Sequence, residues 1–152
     1  MAAEVPVANI MTTSVVSVSR TTEVTEVARL MVEHAVSGLP VVEGDRVVGI
    51  VTERDLIAQE IEFDPPAYGT FLDAIFRLPW DKSDEELRRI LATRAEQLMS
   101  EEVITVQPTA TVRDAASLMY KRRVNPLPVV DEQGRMVGII SRSDIVQLLT
   151  EM

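Results

Sequence analysis

The stretch VSGLPVVEGDRVVGIVTERD, residues 36–55, returns 88 positions later as VNPLPVVDEQGRMVGIISRSD, residues 124–144. Both copies keep Leu-Pro-Val-Val, Val-Gly-Ile and a closing Thr/Ser-x-x-Asp. Upstream, the same offset pairs Met11 with Met99, Val18 with Val106 and Thr21 with Thr109. It also pairs Val24, Ala28, Leu30 and Met31 with Val112, Ala116, Leu118 and Met119. After Val-Val the offset grows by one, because EGDR is matched by DEQGR, so Gly49 meets Gly138 and Asp55 meets Asp144. A length change confined to a turn is what a duplicated fold tolerates. A repeat of about 50 residues, present twice, sets the architecture before any local reading.

Each copy spells the same order of elements. Val15 to Val18 reads as a short strand, and Val24, Val27, Ala28, Met31 and Ala35 recur at the spacing of an amphipathic helix. GLPVV and VVGIVT read as two strands joined by a glycine-containing turn, and a second helix starts from Thr52. The second copy repeats this with Val103 to Val106, a helix from Val112 to Arg123, PLPVV, MVGIIS and a helix from Ser141. The strands are nearly continuous in apolar residues, so they need cover on both faces. The unit is β-α-β-β-α and the class is α+β. The chain divides into a first repeat over 1–58, an insertion over 59–94 and a second repeat over 95–152.

At 152 residues the chain has room for one shared core, since each copy alone is near the size where burial only just offsets chain entropy. A net charge of −9 disfavours a nucleic-acid polymer or an anionic membrane as partner, because both select cationic faces. The absence of cysteine excludes disulfides, thiol catalysis and thiolate metal sites. The opening MAAEVPVANIM has no basic region and no long apolar run, so the expected location is cytoplasmic.

The insertion holds Phe63, Tyr68, Phe71, Phe76 and Trp80, five of the six aromatic residues of the chain. Tyr68, Phe71, Leu72, Ile75 and Phe76 share one helical face, which Pro79 ends, and Ser83 with Glu86 forms a capping box for a further helix. Such a stripe packs onto its own module, contacts a second copy or covers a ligand.

Two segments carry candidate chemistry: Thr52-Glu53-Arg54-Asp55 and Ser141-Arg142-Ser143-Asp144. A hydroxyl followed three residues later by an acid is a helix-start signal in its own right. A strand running into a helix N-terminus also favours an anion, and a short acid there can accept hydrogen bonds from ribose hydroxyls. The two roles are compatible. His34 is the only histidine, and a single histidine without partners builds neither a triad nor a metal site. Asp81, Asp84, Glu85 and Glu86 read as a helix start favoured by the dipole. No nucleophile stands beside a base, so no catalytic residue and no metal ligand is assigned.

Together these residues resemble a tandem pair of cystathionine-β-synthase (CBS) domains, the Bateman module. The resemblance runs over nearly the whole chain. Its carrying segments are VSGLPVVEGDRVVGIVTERDLI and VNPLPVVDEQGRMVGIISRSDIV, preceded by IMTTSVVSV and LMSEEVITV. The resemblance implies two repeats packed by their sheets about a pseudo-twofold axis, with two clefts for adenosine-containing ligands. Each cleft would mix strand segments of one repeat with the acid of the other. One would use Ile104, Val124 and Asn125 with Ile50, Thr52 and Asp55, and Arg122 and Arg123 as phosphate contacts. The other would use Val16, Val36 and Ser37 with Ile139, Ser141 and Asp144. His34 and Ala35 stand where the family often carries basic residues, which puts phosphate binding in that cleft in doubt. The run Lys121-Arg122-Arg123 is also what a solvated helix end looks like, favoured by the C-terminal dipole.

The resemblance implies a regulatory module that senses AMP, ADP, ATP or S-adenosylmethionine, with no prosthetic group and no catalysis of its own. It would act on a separate regulated protein or across a homodimer. The alternative is a ligand-independent assembly module whose clefts are vestigial. Nothing in the sequence selects among the four ligands, since these residues would read the shared adenosine.

Overall fold

The computed structural model describes residues 4–62 and 93–152. The aromatic stripe from Tyr68 to Phe76, Pro79 and the expected capping box at Ser83 and Glu86 lie outside the described residues. The first repeat contains α1 (Val24–His34), β1 (Gly38–Glu43), β2 (Arg46–Thr52) and α2 (Glu53–Glu62). The second contains α3 (Ala95–Leu98), α4 (Val112–Arg122), β3 (Leu127–Val130), β4 (Met136–Ile140) and α5 (Arg142–Thr150). A 3-10 turn at Val7–Asn9 stands in the first repeat where α3 stands in the second.

Each repeat is built on an antiparallel hairpin. β1 pairs with β2 from Gly38 opposite Thr52 to Glu43 opposite Arg46, and β3 pairs with β4 from Leu127 opposite Ile140. Both hairpins are irregular at the same place, between Val41 and Val42 and between Val129 and Val130. The turns hold Gly44 at φ 62° and Gly134 at φ 81°, a region open to glycine at little cost. In the second turn Asp131 accepts from the backbone N–H groups of Arg135 and Gln133 and from Arg135 Nε. Those bonds, the Arg135 backbone foremost, hold the Asp131 carboxyl below the usual carboxylate range.

The expected leading strands shrink to one bridge each, Val18 beside Val41 and Val106 beside Val129, both parallel. Val18 N–H donates to the Pro40 carbonyl, and the Val18 carbonyl accepts from Val42 N–H. Continuing that parallel ladder toward Val16 would require an N–H at Pro40, which proline lacks. Pro128 stops the ladder at Val106 for the same reason. The proline of Leu-Pro-Val-Val therefore frees Val15, Val16, Val103 and Ile104 from the sheet.

In α1, Val24, Val27 and Met31 are buried, as the period of 3.6 requires, whereas Ala35 leaves the expected stripe. It is an exposed left-handed C-cap at φ 52°, with its N–H on the Met31 and Val32 carbonyls. Arg123 caps α4 in the same way at φ 54°, so that helix ends one residue earlier than the sequence predicts. α4 starts at a reciprocal cap: Thr111 N–H donates to Asp114 Oδ2 and Asp114 N–H to Thr111 Oγ1. The Thr111 backbone bond is the main reason the Asp114 carboxyl is held below its usual range.

The cores are completed by exchange. Val7, fully buried, belongs to the cluster of Val106, Ala115, Met119, Leu127, Val129 and Ile140 in the second repeat. Its counterpart Ala95 belongs with Met99 to the cluster of Val18, Val27, Met31, Leu39, Val41 and Val51 in the first. Backbone bonds repeat the exchange: Val7 N–H reaches the Ala110 carbonyl and Ala95 N–H the Thr22 carbonyl. Thr12 bridges Ile139, and Ser100 bridges Ile50. At each crossing a methionine lies over a glycine. A Cβ on Gly49 would fall 2.3 Å from Met99 Sδ, and one on Gly138 would fall 2.6 Å from Met11 Sδ.

Candidate functional site

Two cavities open where the repeats meet. The first, of about 1150 Å³, contains all six residues expected for one cleft: Val16, Val36 and Ser37 from the first repeat, and Ile139, Ser141 and Asp144 from the second. The second, of about 960 Å³, contains Ile50, Thr52 and Asp55 from the first repeat with Ile104, Val124, Asn125 and Arg123 from the second. Both volumes are of the order that accepts a small organic ligand. Arg122, expected beside Arg123, does not itself line the second cavity, although its partner Glu102 does. It is the last helical residue of α4, and its guanidinium lies 3.4 Å from Glu102 at the surface. The left-handed cap at Arg123 turns the chain so that only the second of the two arginines lines the cavity.

The walls follow from the fold. Val16 and Ile104 reach the cavities because the ladder stops at Val18 and Val106. Ala28 and Met31 of α1 line the first cavity, and their counterparts Ala116 and Met119 of α4 line the second. These are apolar surfaces on which a flat ring can be buried.

The acids line the same cavities. Asp55 Oδ2 accepts from Thr52 N–H at 2.8 Å and from Thr52 Oγ1 at 3.2 Å. Asp144 Oδ2 accepts from Ser141 N–H at 2.8 Å and from Ser141 Oγ at 3.0 Å, while Asp144 N–H donates to Ser141 Oγ. The capping role expected of both segments is thus present. It occupies one oxygen of each carboxylate. Oδ1 of Asp55 and of Asp144 has no protein partner among the described residues and remains a free acceptor at the cavity edge.

The cavities touch along a shared seam of Ser37, Glu53, Asn125, Pro126 and Arg142, each of which lines both. Asn125 Nδ2 donates to Ser37 Oγ at 2.9 Å, and Asn125 Oδ1 accepts from Arg142 N–H at 2.8 Å. In the first repeat the matching helix start is held by backbone, with Glu53 N–H on the Ser37 carbonyl. Gly38 is required at the seam, because a Cβ there would lie 2.7 Å from Pro126 Cδ. Glu53, Arg54 and Arg142 line cavities without having been expected to. Their signal was the pair of positions inside each Thr/Ser-x-x-Asp, which on a helix start reads as ordinary solvated surface. His34 lines the first cavity, and Tyr120 the second. Among the described residues no group of three His, Cys, Asp or Glu side chains could hold a metal ion, and no helix is long and apolar enough to cross a membrane.

Comparison with known proteins agrees with the duplicated architecture. The CBS domain model matches residues 7–62 and again 95–151. An uncharacterized protein of Methanocaldococcus jannaschii, MJ1426, is 31% identical over 82% of this chain and 79% of its own length. Inosine-5'-monophosphate dehydrogenase of Korarchaeum cryptofilum is 32% identical over 86% of this chain, which spans only 21% of that enzyme. The crystal structure of CBSX2 in complex with AMP superposes with a TM-score of 0.71, at 27% identity, over 97% of both chains. This chain belongs to the CBS domain family and carries the domain twice, in tandem.

Proposed function

We propose that the protein is a regulatory module that binds an adenosine-containing ligand in the clefts between its repeats, AMP foremost, and does no chemistry on it. The observation that carries this reading is that Asp55 and Asp144, each with one carboxylate oxygen unpartnered among the described residues, line cavities whose apolar residues come largely from the other repeat. That pairing suits a ribose and an attached purine. The AMP complex of CBSX2, whose crystallised chain shares this fold over 97% of both chains, supports the choice of ligand. The short overlap with the dehydrogenase gives no ground for extending that enzyme's activity to this chain.

Site roles follow residue by residue. Val16, Val36 and Ile139 bury the base in the first cavity, and Ile50, Ile104 and Val124 do so in the second. Ser37 and Asn125 border both. Asp144 with Ser141, and Asp55 with Thr52, take the ribose and its phosphate edge. Arg123 and Arg54 give the second cavity two cations of its own, so that cavity favours phosphorylated ligands. A ligand that binds two states of the module unequally shifts their populations, and a regulated protein or a second copy reads the shift. The expected setting is the cytoplasm.

A second reading, ligand-independent assembly, has one observation in its favour. Val32 and Ile57, at the rim of the first cavity, are 83% and 59% exposed, and their counterparts by repeat offset, Tyr120 and Val146 at the second, are 87% and 60% exposed. An apolar set repeated by internal symmetry suits pairing with a second copy. A thermal-shift panel of adenosine, AMP, ADP, ATP and S-adenosylmethionine, with guanosine compounds as controls, separates the two. At about 100 times its dissociation constant a ligand adds about 2.7 kcal/mol, which is several degrees for a domain of this size. No shift with any adenine compound leaves assembly as the function.

A further inference from the structure

We infer that Arg142 is a cation shared between the two cavities, so that a phosphorylated ligand in the Asp55 cavity weakens phosphate binding, and only phosphate binding, in the Asp144 cavity. The inference rests on the adenosine-binding reading and concerns how the two clefts are coupled.

Of the five described residues that line both cavities, Arg142 is the only cation and Glu53 the only anion. They are the same position in the two repeats, carrying opposite charges. Arg142 is exposed and makes no ion pair among the described residues. Its backbone is held at the seam by Asn125 Oδ1, and Asn125 is itself held by Ser37 of the other repeat. The long side chain is therefore pivoted at the boundary and free to serve either side.

The cavities need it unequally. Among the described residues the second has Arg54 and Arg123 in addition, against Asp55 and a Glu102 already paired with Arg122, whereas the first has His34 and no further arginine or lysine. A phosphate in the second cavity gathers Arg142 into a cationic cluster. The first is then left with Glu53 and Asp144, two carboxylates that oppose a phosphate and do not oppose a neutral nucleoside. Linkage makes the effect reciprocal: AMP in the first cavity weakens AMP in the second by the same factor. One charge-assisted hydrogen bond from arginine corresponds to about tenfold in affinity.

The test is calorimetry on the full chain with AMP and with adenosine. Ala116→Trp fills the second cavity from α4 without touching either cap, and Asp55→Ala disables the same cavity independently should the tryptophan variant fail to fold. In either, the remaining cavity should bind AMP about tenfold more tightly than the weaker event of the wild type. Adding Arg142→Gln should abolish that gain, and the first cavity's affinity for adenosine should be the same throughout. A missing gain, an equal gain for adenosine, or a gain that survives Arg142→Gln overturns the shared arginine and leaves adenosine binding standing. No heat from either compound with the wild type overturns both.

Discussion

The two cavities are written in one duplicated text and differ where that text disagrees. The Asp144 cavity is bordered by His34, and the Asp55 cavity by Arg123 and Arg54. Their apolar walls and capped acids match, down to the alanine and methionine contributed by α1 or α4. The features that build a cleft and hold a nucleoside recur in both, whereas the charges that would select among phosphates vary. Shape and charge are separable here because shape comes from the buried sheet and charge from exposed helix ends, where substitution costs little.

The largest test of the comparison asks whether the halves are independent. Leu39 and Leu127 are equivalent and fully buried, one in each core. Either one changed to alanine should cost about 2–5 kcal/mol. Because each repeat's leader completes the other's core, each variant should move one common denaturant transition. Two separate transitions would mean that the exchange does not couple the repeats.

Next in size are the crossings of leader over strand. Gly49→Ala and Gly138→Ala should each destabilise by about 1–3 kcal/mol through overpacking against Met99 and Met11. Equilibrium unfolding checks this, and a neutral result at either glycine would show that the methionine moves aside.

The charge difference predicts a smaller, ligand-specific effect. Arg123→Gln should weaken AMP at the Asp55 cavity about tenfold and leave adenosine unchanged, as read by calorimetry. Arg122→Gln should change neither, because that guanidinium is engaged at the surface with Glu102.

The smallest effect is on pH. The Asp114 carboxyl is lowered by its bonds with Thr111, whereas the matching helix α1 begins at Glu23 with no side-chain cap. A lowered native pKa means the unfolded chain binds more protons, so this stabilisation is complete above the unfolded value of about 3.9 and fades as pH falls through the native one. Asp114→Asn should flatten the acid limb of stability below about pH 4.

Much of this was legible in the sequence for a physical reason: duplication makes each copy a check on the other. The offset linking Asp55 to Asp144 identified both helix-start segments, and the six residues found in the first cavity were those that the resemblance to tandem CBS domains implied. The leader exchange was not readable. Val7 and Ala95 keep the offset, but a valine matched with an alanine carries no visible pattern. The shortened leading strands were implicit in Pro40 and Pro128, whose missing N–H acts on the neighbouring strand and not on their own. Arg122 and Arg123 could not be told apart because a left-handed cap on arginine has no sequence signal, unlike one on glycine, and only Arg123 lines the cavity. Glu53 and Arg142 stood inside the motif itself, and only the contact of the two cavities distinguishes them from a solvated helix start.

The central claim is that both clefts take an adenosine-containing ligand through Asp55 and Asp144. Its most direct measurement is a calorimetric titration of AMP into the wild type, Asp55→Ala and Asp144→Ala, each checked for folding by circular dichroism, with GMP as control. The account predicts two AMP events in the wild type, loss of the tighter one in Asp55→Ala, its retention in Asp144→Ala, and weaker binding of GMP. Absence of AMP binding in the wild type, or AMP binding that neither substitution alters, would contradict it.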